Sequence, residues 1–171
     1  DSGGGKLEDP QGFHNFMLEA LATLQQRAVL PPDARLGQII LSGHSGGYQV
    51  MSAIVAQGGL THQIQEVWLF DGLYAQSEKF LAWAELPGKR LLNIYTDHGG
   101  TKARTEEMMG RLKQQGKSFL ATTDQAVTAQ ELATNHYIFL HTDLGHNEVL
   151  ANRKTFQQFL ESSGLPVRLE K

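Results

Sequence analysis

The sequence predicts an α/β protein with a mostly parallel sheet and helices on both faces. Two observations lead to this fold class. Short apolar, partly β-branched runs recur along the chain, and the stretches between them carry apolar residues at helical spacing. Strands that alternate with helices are joined by right-handed crossovers, which make the strands parallel. The length of 171 residues is enough for one such domain.

Composition and charge narrow the classes of function. The chain has 15 basic and 18 acidic residues, a net charge of −3 and no basic run, so binding of nucleic acid through charge is not expected. No apolar segment reaches the roughly 20 residues needed to span a bilayer, and we expect a soluble protein, cytoplasmic or secreted. Cysteine is absent, which excludes a thiol nucleophile.

The elements follow in order from the apolar pattern. Residues 1–12 have no periodicity and are expected to be a flexible lead-in. The single domain covers 13–165, begins with an amphipathic helix from Phe13 that Pro31-Pro32 stops, and is followed by a tail over 166–171. Four buried strands are expected. They lie at Gln38–Leu41, Glu66–Phe70, Arg90–Thr96 and Tyr137–Leu140.

Helices are expected after each strand. One follows Tyr48 and ends at Gly58-Gly59, which is a natural C-terminal cap. The others are predicted before Pro87, over 101–115, and in a last segment that includes Val149 and Phe159. Residues 117–124 are ambiguous and fit a short edge strand, and residues 128–134 fit a short helix.

The turn after the first strand carries the most informative motif. Gly43-His44-Ser45-Gly46-Gly47 has the pattern G-x-S-x-G between a strand and a helix, and small residues are expected on both sides of a serine held in a strained backbone conformation. The amide of Gly46 would then point to a developing oxyanion at the helix N-terminus. The alternative is an ordinary glycine-rich turn in which Ser45 caps the helix.

Polar side chains follow the expected strands where each strand ends. In an open parallel sheet, ligands bind outside the carboxyl ends of the strands. The residues at or just beyond those ends are Ser45, Asp71, Asp97 and His146. Serine, acid and histidine thus occur in the chain order of the α/β-hydrolases, which differs from the orders in chymotrypsin and subtilisin.

These features together resemble the C-terminal part of an α/β-hydrolase of the serine esterase, lipase or peptidase kind. Gly43–Gly47 is similar to the nucleophile turn of that family, and Leu144-Gly145-His146-Asn147 is similar to the ending of its last catalytic loop. The resemblance implies that Ser45 is the nucleophile and His146 the base. Asp97 is the expected acid of the triad and Asp71 the alternative acid.

The resemblance also implies supporting groups and a reaction. Gly46 would donate an oxyanion hydrogen bond, and His44 and His98 are candidate pocket residues. Packing in the turn is the more common role for a residue at the position of His44, and exposure in a loop is the simpler explanation for His98. No cofactor is implied. About twenty residues separate Asp71 from the next strand, too few for a long lid, so we expect hydrolysis of an ester or amide with a small or polar acyl group.

The chain departs from the family pattern before the serine. Only 44 residues precede Ser45, whereas the family sheet has further strands there, and one of their loops supplies the second oxyanion donor. We therefore expect an N-terminal segment or a second chain to complete the sheet, because the strand before Ser45 would otherwise be an apolar edge. A non-catalytic α/β-hydrolase-like binding protein, or an inactive fragment, is the alternative.

A metal site is a further chemistry that the residues after the last strand suggest. His141, Asp143 and His146 offer imidazole and carboxylate ligands of the kind that suit zinc or manganese. Their spacing belongs to no metal-binding motif, and a strand-end position accounts better for His146. No metal is therefore expected.

Overall fold

The computed structural model describes residues 4–166 as an α/β fold built on one parallel sheet. All strand pairings are parallel, so the predicted fold class is confirmed at that level. The strands are β1 (Ile39–His44), β2 (Ile64–Phe70), β3 (Arg90–Thr96), β4 (Leu120–Thr123) and β5 (Tyr137–Thr142).

Helices occupy the connections between the strands, one helix precedes the sheet and one follows it. In chain order they are α1 (Gly12–Gln26), α2 (Tyr48–Gln57), α3 (Ser77–Ala84), α4 (Lys102–Gln114), α5 (Ala129–Thr134) and α6 (Thr155–Glu161). Helix α5 begins with a capping box in which the Thr128 side chain and Glu131 satisfy each other's backbone amides.

The strands are arranged in the order β1-β2-β3-β5-β4. The ambiguous segment 117–124 thus contains an edge strand, β4. The short helix expected over 128–134 is α5. Strand β1 lies at the opposite edge, as expected. Because the carboxyl ends of parallel strands point the same way, the residues that follow β1, β2, β3 and β5 share one edge of the sheet.

Two apolar cores cover the two faces of the sheet. Alternate residues of a strand face opposite sides, and β2 shows this clearly: Val67 and Leu69 belong to one buried cluster, Trp68 and Phe70 to the other. The first cluster also contains side chains from helices α1 to α4. The second, smaller cluster contains Leu132 of α5 and Phe159 of α6, besides Val149.

The first and last helices, and the segment before α1, differ in part from what the sequence predicts. Phe13 is the one buried residue of α1, Met17 is partly buried against the same core, and Phe16 is 51% exposed. Helix α6 is short, because residues 146–154 form turns rather than its first part. Within the expected lead-in, Gly5–Glu8 forms one 3-10 turn that contacts α2. Residues 167–171 of the expected tail lie outside the described residues.

None of the helices in the described part of the chain is long and apolar enough to cross a bilayer.

Candidate active site

The turn that holds Ser45 has the conformation that the motif predicts. Strand β1 ends at His44, and a 3-10 turn over Ser45–Gly47 leads directly into α2. Ser45 has a φ of 53°, a left-handed conformation that costs a non-glycine residue of order 1–3 kcal/mol and often marks a functional position. The amides of this first helical turn have no acceptor within the helix.

Small residues are required at only some of the positions that the motif predicts. A Cβ atom on Gly43 would collide with the Met51 sulfur, and one on Gly72 would lie 3.2 Å from the Ser45 carbonyl oxygen. A Cβ atom on Gly46 or Gly47 would meet no atom within 4 Å. The close packing thus comes from α2 and from the loop after β2, which makes Gly72 a part of the turn that the motif did not reveal.

A histidine and a buried carboxylate meet beside this turn. Nδ1 of His146 donates a hydrogen bond to Oδ2 of Asp71 over 2.6 Å. Because a carboxylate only accepts, this bond places the ring proton on Nδ1 and leaves Nε2 as the basic nitrogen. Asp71 is the first residue after β2, the strand next to β1, and its φ of 43° is a second left-handed non-glycine conformation at this edge.

The Asp71 carboxylate is fully buried and accepts several hydrogen bonds. Besides His146, the Thr96 amide donates to Oδ1 over 3.2 Å, the Thr96 hydroxyl donates to Oδ2 over 2.9 Å, and the Thr101 hydroxyl donates to Oδ1. Burial raises the pKa of Asp71, but the bonds from Thr101, His146 and Thr96 outweigh it and lower that pKa below 3.8. The carboxylate is therefore charged at neutral pH.

Asp97, the expected acid, has other partners. Its Oδ1 accepts a hydrogen bond from Lys102 Nζ over 2.7 Å and lies 3.1 Å from Nε2 of His141. The bond from Lys102, and then that from His141, lower the pKa of Asp97. This carboxylate is exposed and follows β3, which is two strands away from β1. The structure thus brings the alternative acid, Asp71, to His146 and leaves Asp97 in a surface ion pair.

The two candidate pocket histidines lie in different surroundings. His44 Nε2 donates to the His146 carbonyl oxygen over 2.8 Å, and the two ring centroids are 4.5 Å apart. His44 therefore supports the loop that carries His146. His98 is exposed in the loop after β3.

Three further residues of the site were missed by sequence reasoning. Thr96 and Thr101 hold Asp71, and Tyr74 lies close enough to Ser45 for the serine side chain to lower the pKa of its hydroxyl. Hydroxyl groups near strand ends were a usable signal for all three, since Thr96 ends β3 and Tyr74 follows the Asp71-Gly72 turn.

The serine and histidine share neighbours without a direct bond. The Tyr74 ring centroid is 6.4 Å from that of His146, and His44, which packs on His146, precedes Ser45 in the chain. Within residues 4–166, no hydrogen bond joins the Ser45 hydroxyl to His146. Catalytic hydrogen bonds are often long in ligand-free enzymes and shorten when substrate binds.

The three candidate metal ligands have separate partners. His141 lies against Asp97, Asp143 pairs with Arg153, and His146 is bonded to Asp71. Among the described residues, no group of three or more histidine, cysteine or acidic side chains is arranged to hold a metal ion.

Comparison with known proteins adds no family assignment. No protein-family model matches the chain, and neither a curated protein nor a solved structure matches it.

Proposed function

We propose that the chain is a serine hydrolase of the α/β-hydrolase kind, which cleaves an ester or amide through an acyl-enzyme. The observation that carries the proposal is the 2.6 Å hydrogen bond from Nδ1 of His146 to Asp71, beside a serine with a φ of 53° at a strand-to-helix turn. A buried carboxylate that fixes the tautomer of a histidine near such a serine is the arrangement used for acyl transfer.

Each residue then has a defined part in the reaction. The Ser45 hydroxyl oxygen attacks the carbonyl carbon while Nε2 of His146 takes its proton. The electron pair of the carbonyl moves to its oxygen, which accepts a hydrogen bond from the Gly46 amide. His146 then returns the proton to the leaving group, and water releases the acyl group by the same steps. Asp71, in place of Asp97, stabilises the imidazolium.

The short loop after β2 bears on the substrate. Only six residues, 71–76, connect β2 to α3, so this connection carries no lid. An open site does not bury a long acyl chain, which favours substrates with a small or polar acyl group.

We also propose that a further segment, either N-terminal to this chain or from a second chain, pairs with β1. Strand β1 has a neighbour on one side only among the described residues. In addition, Phe16 and Val29 near the start of the domain are 51% and 65% exposed. Unpaired strand edges and exposed apolar side chains are features that proteins normally cover.

A covalent probe tests the hydrolase proposal. A fluorophosphonate labels only an activated serine, so we expect labelling of the wild-type chain, none in Ser45→Ala and a large decrease in His146→Ala. Ser42→Ala is the matched control, because Ser42 is an exposed serine on the same strand, and it should be labelled like the wild type. A folded wild-type chain that is not labelled would favour the non-catalytic binding protein.

A further inference from the structure

The proposed mechanism uses one backbone donor for the oxyanion, the amide of Gly46. A tetrahedral intermediate in acyl transfer is usually stabilised by two or more donors, and loss of one costs about 10²–10³ in kcat. If Ser45 is the nucleophile, a second donor near its hydroxyl is therefore expected. Side-chain hydroxyl groups can fill this place as well as backbone amides.

Tyr74 is held close to Ser45 by its own backbone. The Tyr74 amide donates to the Gly72 carbonyl over 3.0 Å, and Gly72 packs so closely on Ser45 that an added Cβ would lie 3.2 Å from the Ser45 carbonyl oxygen. This turn places the tyrosine two residues after the contact. The Ser45 side chain is close enough to the Tyr74 hydroxyl to lower its pKa.

The ring of Tyr74 is fixed by three further contacts. Its centroid is 5.7 Å from that of Tyr48 and 6.4 Å from that of His146. A Cβ atom on Gly100 would lie 3.3 Å from Cε1 of Tyr74, so the backbone of the loop after β3 also borders the ring. The phenol thus lies near Ser45 and His146, at the carboxyl ends of the strands.

The hydroxyl remains a proton donor at neutral pH. Burial raises the pKa of Tyr74 above its usual 10.0, and the negative charge of Asp71 acts in the same direction, against the lowering contact with Ser45. A protonated phenol has one hydrogen to donate.

We infer that the Tyr74 hydroxyl is the second oxyanion donor, an inference that rests on the proposed hydrolase function. The oxyanion and the Ser45 oxygen are bonded to the same carbon in the tetrahedral intermediate, so a donor that reaches one oxygen is close to the other. Tyr74 donates a hydrogen bond and keeps its proton. The proton of Ser45 goes to Nε2 of His146, and the electron pair of the carbonyl goes to the oxyanion that Tyr74 and Gly46 hold.

Tyr74→Phe tests this inference, since it removes one oxygen atom and keeps the ring. With 4-nitrophenyl acetate as substrate, we expect kcat to decrease about 10²-fold with little change in KM, because the bond forms mainly in the transition state. An alkyl boronic acid forms a tetrahedral adduct with an active serine, and its inhibition constant should rise by a factor similar to the decrease in kcat. Tyr137→Phe is the matched control, because Tyr137 begins β5 at the opposite end of the parallel strands, and it should leave both quantities near their wild-type values.

The outcomes separate this inference from the proposed function. An active wild type together with a fully active, or faster, Tyr74→Phe would overturn the oxyanion role and leave the hydrolase proposal intact. A decrease in kcat without a matching loss of boronic acid affinity would also overturn it, because a structural defect need not follow transition-state binding. A folded wild-type chain with neither turnover nor boronic acid binding would contradict both proposals.

Discussion

The Nδ1 atom of His146 lies 2.6 Å from Oδ2 of Asp71, although 75 residues separate the two in the chain. The loop after β5 must therefore pass over the end of β3 to reach the end of β2, the strand next to β1. Neighbouring strands lie about 4.8 Å apart, so an acid after β2 is one strand nearer to Ser45 than an acid after β3. This geometry makes Asp71 the better placed of the two acids for the histidine of the proposed mechanism.

The choice of acid is tested by two matched substitutions. Asp71→Asn should lower kcat by about 10⁴, because an amide partner favours the wrong tautomer of His146. Asp97→Asn should leave kcat close to the wild-type value, because the exposed Asp97 carboxylate contacts Lys102 and His141 and not His146. Hydrolysis of 4-nitrophenyl acetate by both variants, with circular dichroism as a check on folding, is the measurement. A large decrease in kcat for Asp97→Asn but not for Asp71→Asn would show that Asp97 is the acid, as the sequence predicts.

The buried carboxylate also predicts how stability depends on pH. The pKa of Asp71 is lower in the folded chain than its ordinary 3.8, so below that value the unfolded chain binds a proton that the folded chain does not. The contribution of Asp71 is therefore fully present above pH 3.8 and is lost as the pH falls through the folded pKa. Urea unfolding across the acid range should show a smaller pH dependence for Asp71→Asn than for wild type; equal slopes would contradict the lowered pKa.

Gly99 is predicted to be a position where a methyl group disturbs the site from the next loop. A Cβ atom there would overlap Oδ2 of Asp71 and lie 2.6 Å from the Thr96 hydroxyl oxygen. Gly99→Ala should thus cost about 1–3 kcal/mol, as overpacking usually does, and should lower activity. Gly110→Ala is the control: Gly110 is exposed in α4 with open space around it, and alanine there should stabilise by about 0.5–1 kcal/mol. Thermal unfolding of both variants measures the contrast, and a neutral Gly99→Ala would refute it.

At the other end of the sheet, a buried ion pair joins β2 to β3. Glu66 accepts hydrogen bonds from Arg90 over 2.8 Å, from the Trp68 indole over 2.8 Å and from the Gly164 amide over 3.0 Å. Arg90→Met would leave the buried carboxylate without its cation and should cost about 3–5 kcal/mol.

The control for that prediction is an exposed arginine. Arg104 pairs with Glu107 on the surface of α4, and Arg104→Met should cost at most about 1 kcal/mol. Chemical denaturation gives both free energies of unfolding. Similar decreases in the free energy of unfolding for the two variants would show that the buried Glu66–Arg90 pair contributes no more than an exposed pair.

Much of the architecture was predictable from local patterns. Apolar runs such as Glu66–Phe70 and Tyr137–Leu140 are strands, and the parallel arrangement follows from their alternation with helices. The segment near residue 120 was ambiguous because β4 is a short edge strand, in which no residue is fully buried. Residues 146–154 contain apolar positions at helical spacing but form turns, and Val149 is buried there without a helix.

The sequence alone determined the alternation of strands and helices, the turn at Ser45 and the set of polar residues at the strand ends. These properties are local, because they depend on the period of apolar residues and on glycines within a few positions. The tertiary structure decided which acid meets His146, which glycines pack against the serine turn, and that Tyr74 lies beside it. Those contacts depend on strand order and on where long loops cross the sheet, and neither is encoded in the spacing of residues along the chain.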